Sequence, residues 1–319
     1  MTRAVRLAVS LAGALAGLVA IGAVVFVAVS RLGYPFAVEQ LEGNSLVEVH
    51  RILSGQPLYQ APAVGYVPDG YPPLYFALSA AVARVAGQSY LPLRLVSLFA
   101  ALACFALLAR LVQRETGSLA AGVAAAGVFA ATYFATGDWF DVGRVDSLFL
   151  ALSLAGLYAV RRMRGLPGAV GAGLLLAAAA LTKQTALAEG AAVLAVLLFT
   201  GAPSRRRLAR VAALTWASAV GLATLVLGLT SGGWYIYYVF QLMWLAPPRS
   251  ASAGYRANCS RAARRWSSRA TRRWCTAAAA STTCSPRTWR WRCWQAWHSA
   301  ATRPGGPASR RPCSSSPRP

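Results

Sequence analysis

The sequence predicts an all-α fold: a polytopic transmembrane helix bundle of about seven spans, with a helical juxtamembrane loop on the outer face. Three observations carry this. Leu7 to Ser30 is 24 residues without a charge, enough to cross a hydrocarbon core of ~30 Å at about 1.5 Å per residue. Further apolar runs follow at about 91–112, 117–137, 145–160, 165–182, 184–203 and 211–233. Arginines gather at alternate junctions between the runs: Arg110/Arg114, Arg161/Arg162/Arg164 and Arg205/Arg206/Arg207/Arg210. Cytoplasmic loops of membrane proteins carry such an excess of positive charge.

The first run is too long for the apolar centre of a secretory signal and reads as an anchor. Arg3 and Arg6 precede it and place the N-terminus in the cytoplasm. A further apolar segment at 73–87 has only about fifteen residues and contains Arg84. If it lies along the outer surface without crossing, every arginine cluster is cytoplasmic. If it crosses, all nine arginines of the clusters face outward, against the positive-inside tendency. The non-crossing reading wins. It sends Glu39, Glu42, Glu48, Asp69, Asp138, Asp141 and Asp146 to the outer face, together with Arg94, Arg144 and Lys183. A permease would instead keep its ionisable groups near the midplane.

The formal net charge of +23 hides a break. Residues 1–245 carry 17 basic and 9 acidic side chains; residues 246–319 carry 15 basic and no acidic ones. The chain therefore divides into a membrane domain, 1–245, and a basic tail, 246–319. The tail has five of the six cysteines, shows no sustained period and has no run long enough to span. A basic, Trp-interleaved segment for nucleic acid or anionic lipid is one reading. The preferred one is an out-of-frame translation, disordered or aberrant, with no nucleic-acid partner. Reading the coding DNA after codon 242 in three frames decides between them.

Chemistry is sought first in Val38 to Tyr75, a polar stretch too long for a mere connector. It holds four of the nine acids and His50, one of two histidines. Glu39 and Glu42 stand three apart, a spacing that shares one helix face. A carboxylate at the membrane boundary can act as general base toward an attacking hydroxyl; the plainer reading is that the pair caps or solvates the loop. Tyr71-Pro72-Pro73-Leu74 starts a helix, since proline in a first turn forfeits no hydrogen bond. Asp146 suits the N-terminus of the following helix as a cap. Arg144 offers the two-pronged donor set that fits a phosphate. Lys183, the one lysine, is equally a snorkelling anchor or a phosphate ligand. Glu189 lies inside an apolar run and is expected to face the bundle interior.

Taken in order, the acidic first outer loop, Tyr71-Pro72-Pro73-Leu74, Leu93-Arg94-Leu95-Val96-Ser97, Arg144-Val145-Asp146-Ser147 and Lys183-Gln184-Thr185 resemble a known group. The chain is similar to the membrane-embedded C-type (GT-C) glycosyltransferases that use polyprenyl-phosphate sugars. Within them it looks most like bacterial relatives of protein mannosyltransferases, aminoarabinose transferases and lipopolysaccharide-core galacturonosyltransferases. The resemblance covers about residues 7–242. It implies transfer of a sugar from a polyprenyl-phosphate donor to a cell-envelope glycan, lipid or protein, on the periplasmic face of the inner membrane. Arg94, Arg144 and Lys183 become the candidate ligands of the donor phosphate. His50, Asp69, Tyr71 and Asp146 become the candidate substrate loop. The usual first-loop motif is Asp-Glu and here reads Leu41-Glu42, so Glu42 leads as catalytic base with Glu39 next. No cofactor is implied, and a divalent metal is left open. Relatives of this kind carry more spans and a C-terminal soluble domain, so a truncated copy is expected, its activity open. The competing class is a non-catalytic polytopic protein, such as a lipid carrier or transporter. An internal repeat would favour it, and none is found.

Overall fold

The computed structural model describes residues 3–63 and 65–242; the expectations for 246–319 lie outside the described residues. All regular structure among the described residues is helical, and no strand is present beyond one isolated bridge between Ala63 and Tyr66. The helices are α1 (Arg3–Leu32), α2 (Gln40–Leu53), α3 (Leu74–Ala86), α4 (Tyr90–Thr116) and α5 (Leu119–Ala131). They continue with α6 (Val145–Arg162), α7 (Gly165–Thr182), α8 (Ala186–Thr200), α9 (Pro203–Thr230) and the short α10 (Trp234–Ile236), which runs into a π-turn at Tyr237–Gln241.

Four of these helices are long and apolar enough to cross a membrane: α1 from Ala8, α4, α7 and α9. About seven spans were expected. The other three runs form α5, α6 and α8. Of these, α5 and α8, of 13 and 15 residues, are short of the ~20 that a bilayer core asks of an upright helix. The third, α6, is as long as α7 but carries the charges of Asp146, Arg161 and Arg162 at its ends. For α5 the cause is local. Its apolar run continues to residue 137, but the backbone leaves the helix after Ala131, and Gly137 and Asp138 both take positive φ. The chain is a multi-pass membrane protein.

Neighbouring helices pack in the order α1 on α5, α5 on α4, α4 on α6, α6 on α7, α7 on α9 and α9 on α8. Small residues let the backbones close up. Gly127 of α5 lies so near Gly17 of α1 that a Cβ on either would run into the other helix's backbone. Without water between helices, such close van der Waals packing is what holds spans together. Alanines fill the seams for the same reason, as in the cluster of Ala169, Ala172, Leu176, Ala209 and Ala212 between α7 and α9.

The two ends of the bundle differ. At one end Arg161 meets Glu115 at 2.6 Å, and Arg205 donates to the carbonyls of Val160 and Arg161. The arginine clusters of three separate loops thus meet there. At the other end lie α2 and α3. The 13-residue α3 buries Tyr75, Phe76, Ser79, Ala80 and Ala83. These pack on Val49 of α2 and on the first turns of α4 and α6, through Leu93 and Val145. Its opposite side, with Ala77, Leu78, Ala81, Arg84 and Val85, is exposed. An amphipathic helix with an apolar outward stripe suits a membrane boundary and not a crossing.

Candidate active site

The site grows from the start of α2. Glu39 is its N-cap: the backbone is extended (φ −140°) and the side chain accepts the Leu41 N–H at 2.9 Å. Glu42, at the third position of the helix, turns back and accepts the Val38 N–H at 2.8 Å. The spacing of three is thus a variant of the reciprocal capping arrangement. It sends the two carboxylates to different places.

Glu42 goes inward and is fully buried. Its Oε1 accepts from Arg94 Nε and the Gly143 N–H, both at 2.9 Å. Its Oε2 accepts from Arg94 Nη2 at 2.9 Å as well as from Val38. Burial alone would raise this carboxyl, but Arg94, Val38 and Gly143 together hold it below the usual carboxylate range. A side chain on Gly143 would strike Glu42 Cγ, so glycine is required there. Arg94 is equally committed. Its Nη1 donates to the carbonyls of Arg31 (2.7 Å) and Tyr34 (2.6 Å), and its Nη2 also to that of Phe36 (2.8 Å). All five guanidinium N–H groups are therefore used within the protein. Arg94 is 1 % exposed and has no donor left for a phosphate. Its donors tie α1, α2 and α4 together. Glu42, with four donors on two oxygens, is a poor proton acceptor.

Glu39 goes outward, and its side chain keeps 31 % exposure. A chain of charges begins there. Glu39 Oε2 lies 3.1 Å from Arg144 Nη1; Arg144 Nε donates to Asp146 Oδ2 at 2.9 Å; Lys183 Nζ donates to Asp146 Oδ1 at 2.7 Å. Three elements contribute. Arg144 is the N-cap residue of α6, Asp146 lies in its first turn, and Lys183 caps the C-terminus of α7. Asp146 does not cap by hydrogen bonding, as the sequence suggested; both its oxygens go to the two cations. Arg144 stacks on the Trp139 ring at 4.0 Å and is nearly buried, whereas Lys183 is 24 % exposed.

The loop between α2 and α3 closes over this chain. Asp69 accepts from Asn44 at 3.3 Å. Burial pushes its carboxyl up to about 6, with the Asn44 contact and the Arg144 charge opposing and the Glu39 charge assisting. The Tyr71 phenol is raised by burial and feels the charges of Asp146, Lys183 and Arg144. Gln184 fastens the loop by donating to the Gly70 carbonyl at 2.8 Å. His50 is not brought to the chain. It is exposed, two turns beyond Glu42 on α2, with Nδ1 2.8 Å from Gln88 Oε1. Glu189 is exposed on α8 and accepts from Ser153 at 2.9 Å, so it does not face the bundle interior.

Sequence reasoning missed several partners. Trp139 under Arg144 and Gln184 on Gly70 are joined only by the fold. Tyr66 lies 2.5 Å from the buried Glu48, an acid read from the sequence without a role. A second cluster joins Arg31 to Asp138 (3.2 Å) and Asp141 (3.8 Å), with Tyr133 donating to Asp141 at 2.5 Å. Burial raises Asp141, against the Tyr133 and Arg31 contacts. It anchors the end of α1 to the 133–141 loop. Among the described residues no three His, Cys, Asp or Glu side chains converge as metal ligands would.

The sequence pattern of the dolichyl-phosphate-mannose-protein mannosyltransferase family matches residues 70–229, half of the chain. The chain belongs to that family. The family lies in the GT-C group, and its members are membrane glycosyltransferases with a lipid-linked sugar as donor. Neither a curated protein nor a solved structure matches. Within this mannosyltransferase-family chain the matched stretch takes in Tyr71, Arg94, Arg144, Asp146 and Lys183. Glu39 and Glu42 stand before it.

Proposed function

We propose that the chain transfers a sugar from a polyprenyl-phosphate donor to a hydroxyl of a cell-envelope glycan, lipid or protein, at the outer rim of the inner membrane. One observation carries the reading: the chain Glu39–Arg144–Asp146–Lys183, with links of 3.1, 2.9 and 2.7 Å, ends in two partly exposed groups of opposite charge. Such a pair can take a proton at one end and receive an anion at the other. Glu39 accepts the proton of the acceptor hydroxyl as its oxygen bonds to the anomeric carbon. The bond from that carbon to the lipid phosphate breaks, and its electron pair stays on the phosphate oxygen. Lys183, with Arg144 behind it, meets the charge that develops there, which is electrostatic catalysis by preorganised cations. Asp146 holds both cations in place. Asp69 is the second candidate base, because burial lifts its carboxyl to about 6 and a single side-chain donor contacts it.

Lys183→Met tests the phosphate end. A hydrogen bond to a charged group is worth ~1.5–3 kcal/mol, so the donor KM is expected to rise about 10- to 100-fold in the purified chain. An unchanged donor KM contradicts the assignment.

Orientation follows from the arginine-rich end being cytoplasmic. Seven crossings before residue 235, with α3 on the outer surface, predict the outcome of cysteine labelling in a background free of other cysteines. Positions 88–90 are reached from the periplasm, and positions 162–164 are not. The reverse pattern overturns the topology.

A further inference from the structure

The loop that carries Asp69 is fastened to α2 by a buried contact whose protons can be counted. Glu48 is 3 % exposed. Its Oε1 accepts the Asp69 N–H at 2.9 Å, and its Oε2 lies 2.5 Å from Tyr66 Oη. The same phenol oxygen lies 2.6 Å from the Leu58 carbonyl oxygen. Three oxygens thus stand in a row with two short gaps, and each gap needs a proton. The phenol has one hydrogen, a carbonyl has none, and an ionised carboxylate only accepts. If Glu48 were ionised, one gap would set two lone pairs against each other at hydrogen-bond distance.

We propose that Glu48 is a neutral carboxylic acid that donates to Tyr66, which in turn donates to Leu58, and that this proton-held clasp positions the loop presenting Asp69 and Tyr71 to the polar chain. The inference rests on the functional reading above only for what the loop serves; the protonation itself does not. Glu48 is a positioning residue and touches no substrate.

The surroundings agree. Glu48 faces Asp69, Tyr66 and Tyr59 on the loop and Arg51 on its own helix. Burial raises its carboxyl from the ordinary 4.5 to about 7, with the Tyr66 and Asp69 contacts opposing it, the Asp69 charge assisting and the Arg51 charge opposing. Arg51 reinforces the clasp from outside. It donates to the Pro57 carbonyl at 2.8 and 3.0 Å and to Gln60 at 2.9 Å, and it stacks on the Tyr66 ring at 3.7 Å. Because the folded carboxyl holds its proton more tightly than the free one, the clasp is fully stabilising below pH 4.5. That contribution is lost as the pH rises through about 7.

Glu48→Gln is the informative variant, since its amide donates to Tyr66 and accepts from Asp69 as the neutral acid does, but cannot ionise. The full chain is purified in lipid nanodiscs. Hydrogen exchange of residues 57–71 is followed from about pH 5 to about pH 9 in wild type and Glu48→Gln together, so that the intrinsic pH dependence of exchange cancels. Relative to the variant, wild-type protection is expected to fall about tenfold or more across that range. The infrared spectrum of the wild type at the acid end should contain a protonated-carboxyl band that Glu48→Gln lacks. Glu48→Ala, which keeps neither contact, should be loosened at every pH. If it does not fold, the wild type and Glu48→Gln still decide. Equal protection in these two at every pH, or no difference in the carboxyl band, overturns the proposal. Neither measurement uses donor or acceptor, so a failed clasp and a failed transferase remain distinguishable.

Discussion

Glu39→Gln slows sugar transfer by about 10²–10⁴-fold while leaving the fold and donor binding in place, the scale on which a positioned general base acts. The side chain keeps its size, and its amide oxygen can still accept the Leu41 N–H that starts α2. What goes is the capacity to take a proton, together with the charge that pairs with Arg144 at 3.1 Å. Were Glu39 only a cap, the loss would be a fraction of the ~1 kcal/mol that removing a cap outright costs. Assay of initial rates beside thermal unfolding separates the two. Near wild-type transfer in Glu39→Gln, with a large loss in Asp69→Asn, would move the base to Asp69.

Arg94→Met is expected to cost about 3–5 kcal/mol of stability, the price of breaking a buried ion pair from one side. It leaves the Glu42 carboxylate buried with two donors fewer and abandons three backbone carbonyls at the end of α1. The loss should appear as a marked fall in unfolding temperature. Arg94→Lys should rescue little, since an ammonium cannot reproduce the planar fork. Glu42→Gln should destabilise in the same way, because it leaves Arg94 as the uncompensated charge. A stable Arg94→Met chain with weakened donor binding would restore Arg94 as a phosphate ligand.

The helices were legible because a span must be apolar and nearly continuous: the run 165–182 is α7 to the residue, and 145–160 falls short of α6 by two. Elsewhere charge hid a boundary. Arginines 205–210 masked the first turns of α9, which begins at Pro203 in the N-terminal position proline favours. The beginning of α2 was harder, since Gln40 to Ser45 has little apolar pattern and the helix is started by its cap. The site was legible as a set of charges on one face and not as partners. Glu42 and Arg94 lie 52 residues apart and Asp146 and Lys183 37 apart, and no periodicity reports contacts across such distances. Motif order could not separate Arg94 from Arg144 either. Both stand at the start of an apolar helix, and they differ in their partners: Arg94 donates to three backbone carbonyls and the buried Glu42, Arg144 to Asp146 and the partly exposed Glu39.

If a lipid-phosphate sugar is cleaved at the Glu39–Lys183 rim, each transfer releases one sugar-free lipid phosphate. The purified chain in nanodiscs is supplied with a polyprenyl-phosphate sugar, labelled in the phosphate, and a hydroxyl-bearing envelope acceptor. Sugar-free polyprenyl phosphate should accumulate only when acceptor is present, and both Glu39→Gln and Lys183→Met should suppress it. Donor that is bound, or moved between leaflets, and recovered with its sugar intact would rule out transfer and favour a lipid carrier.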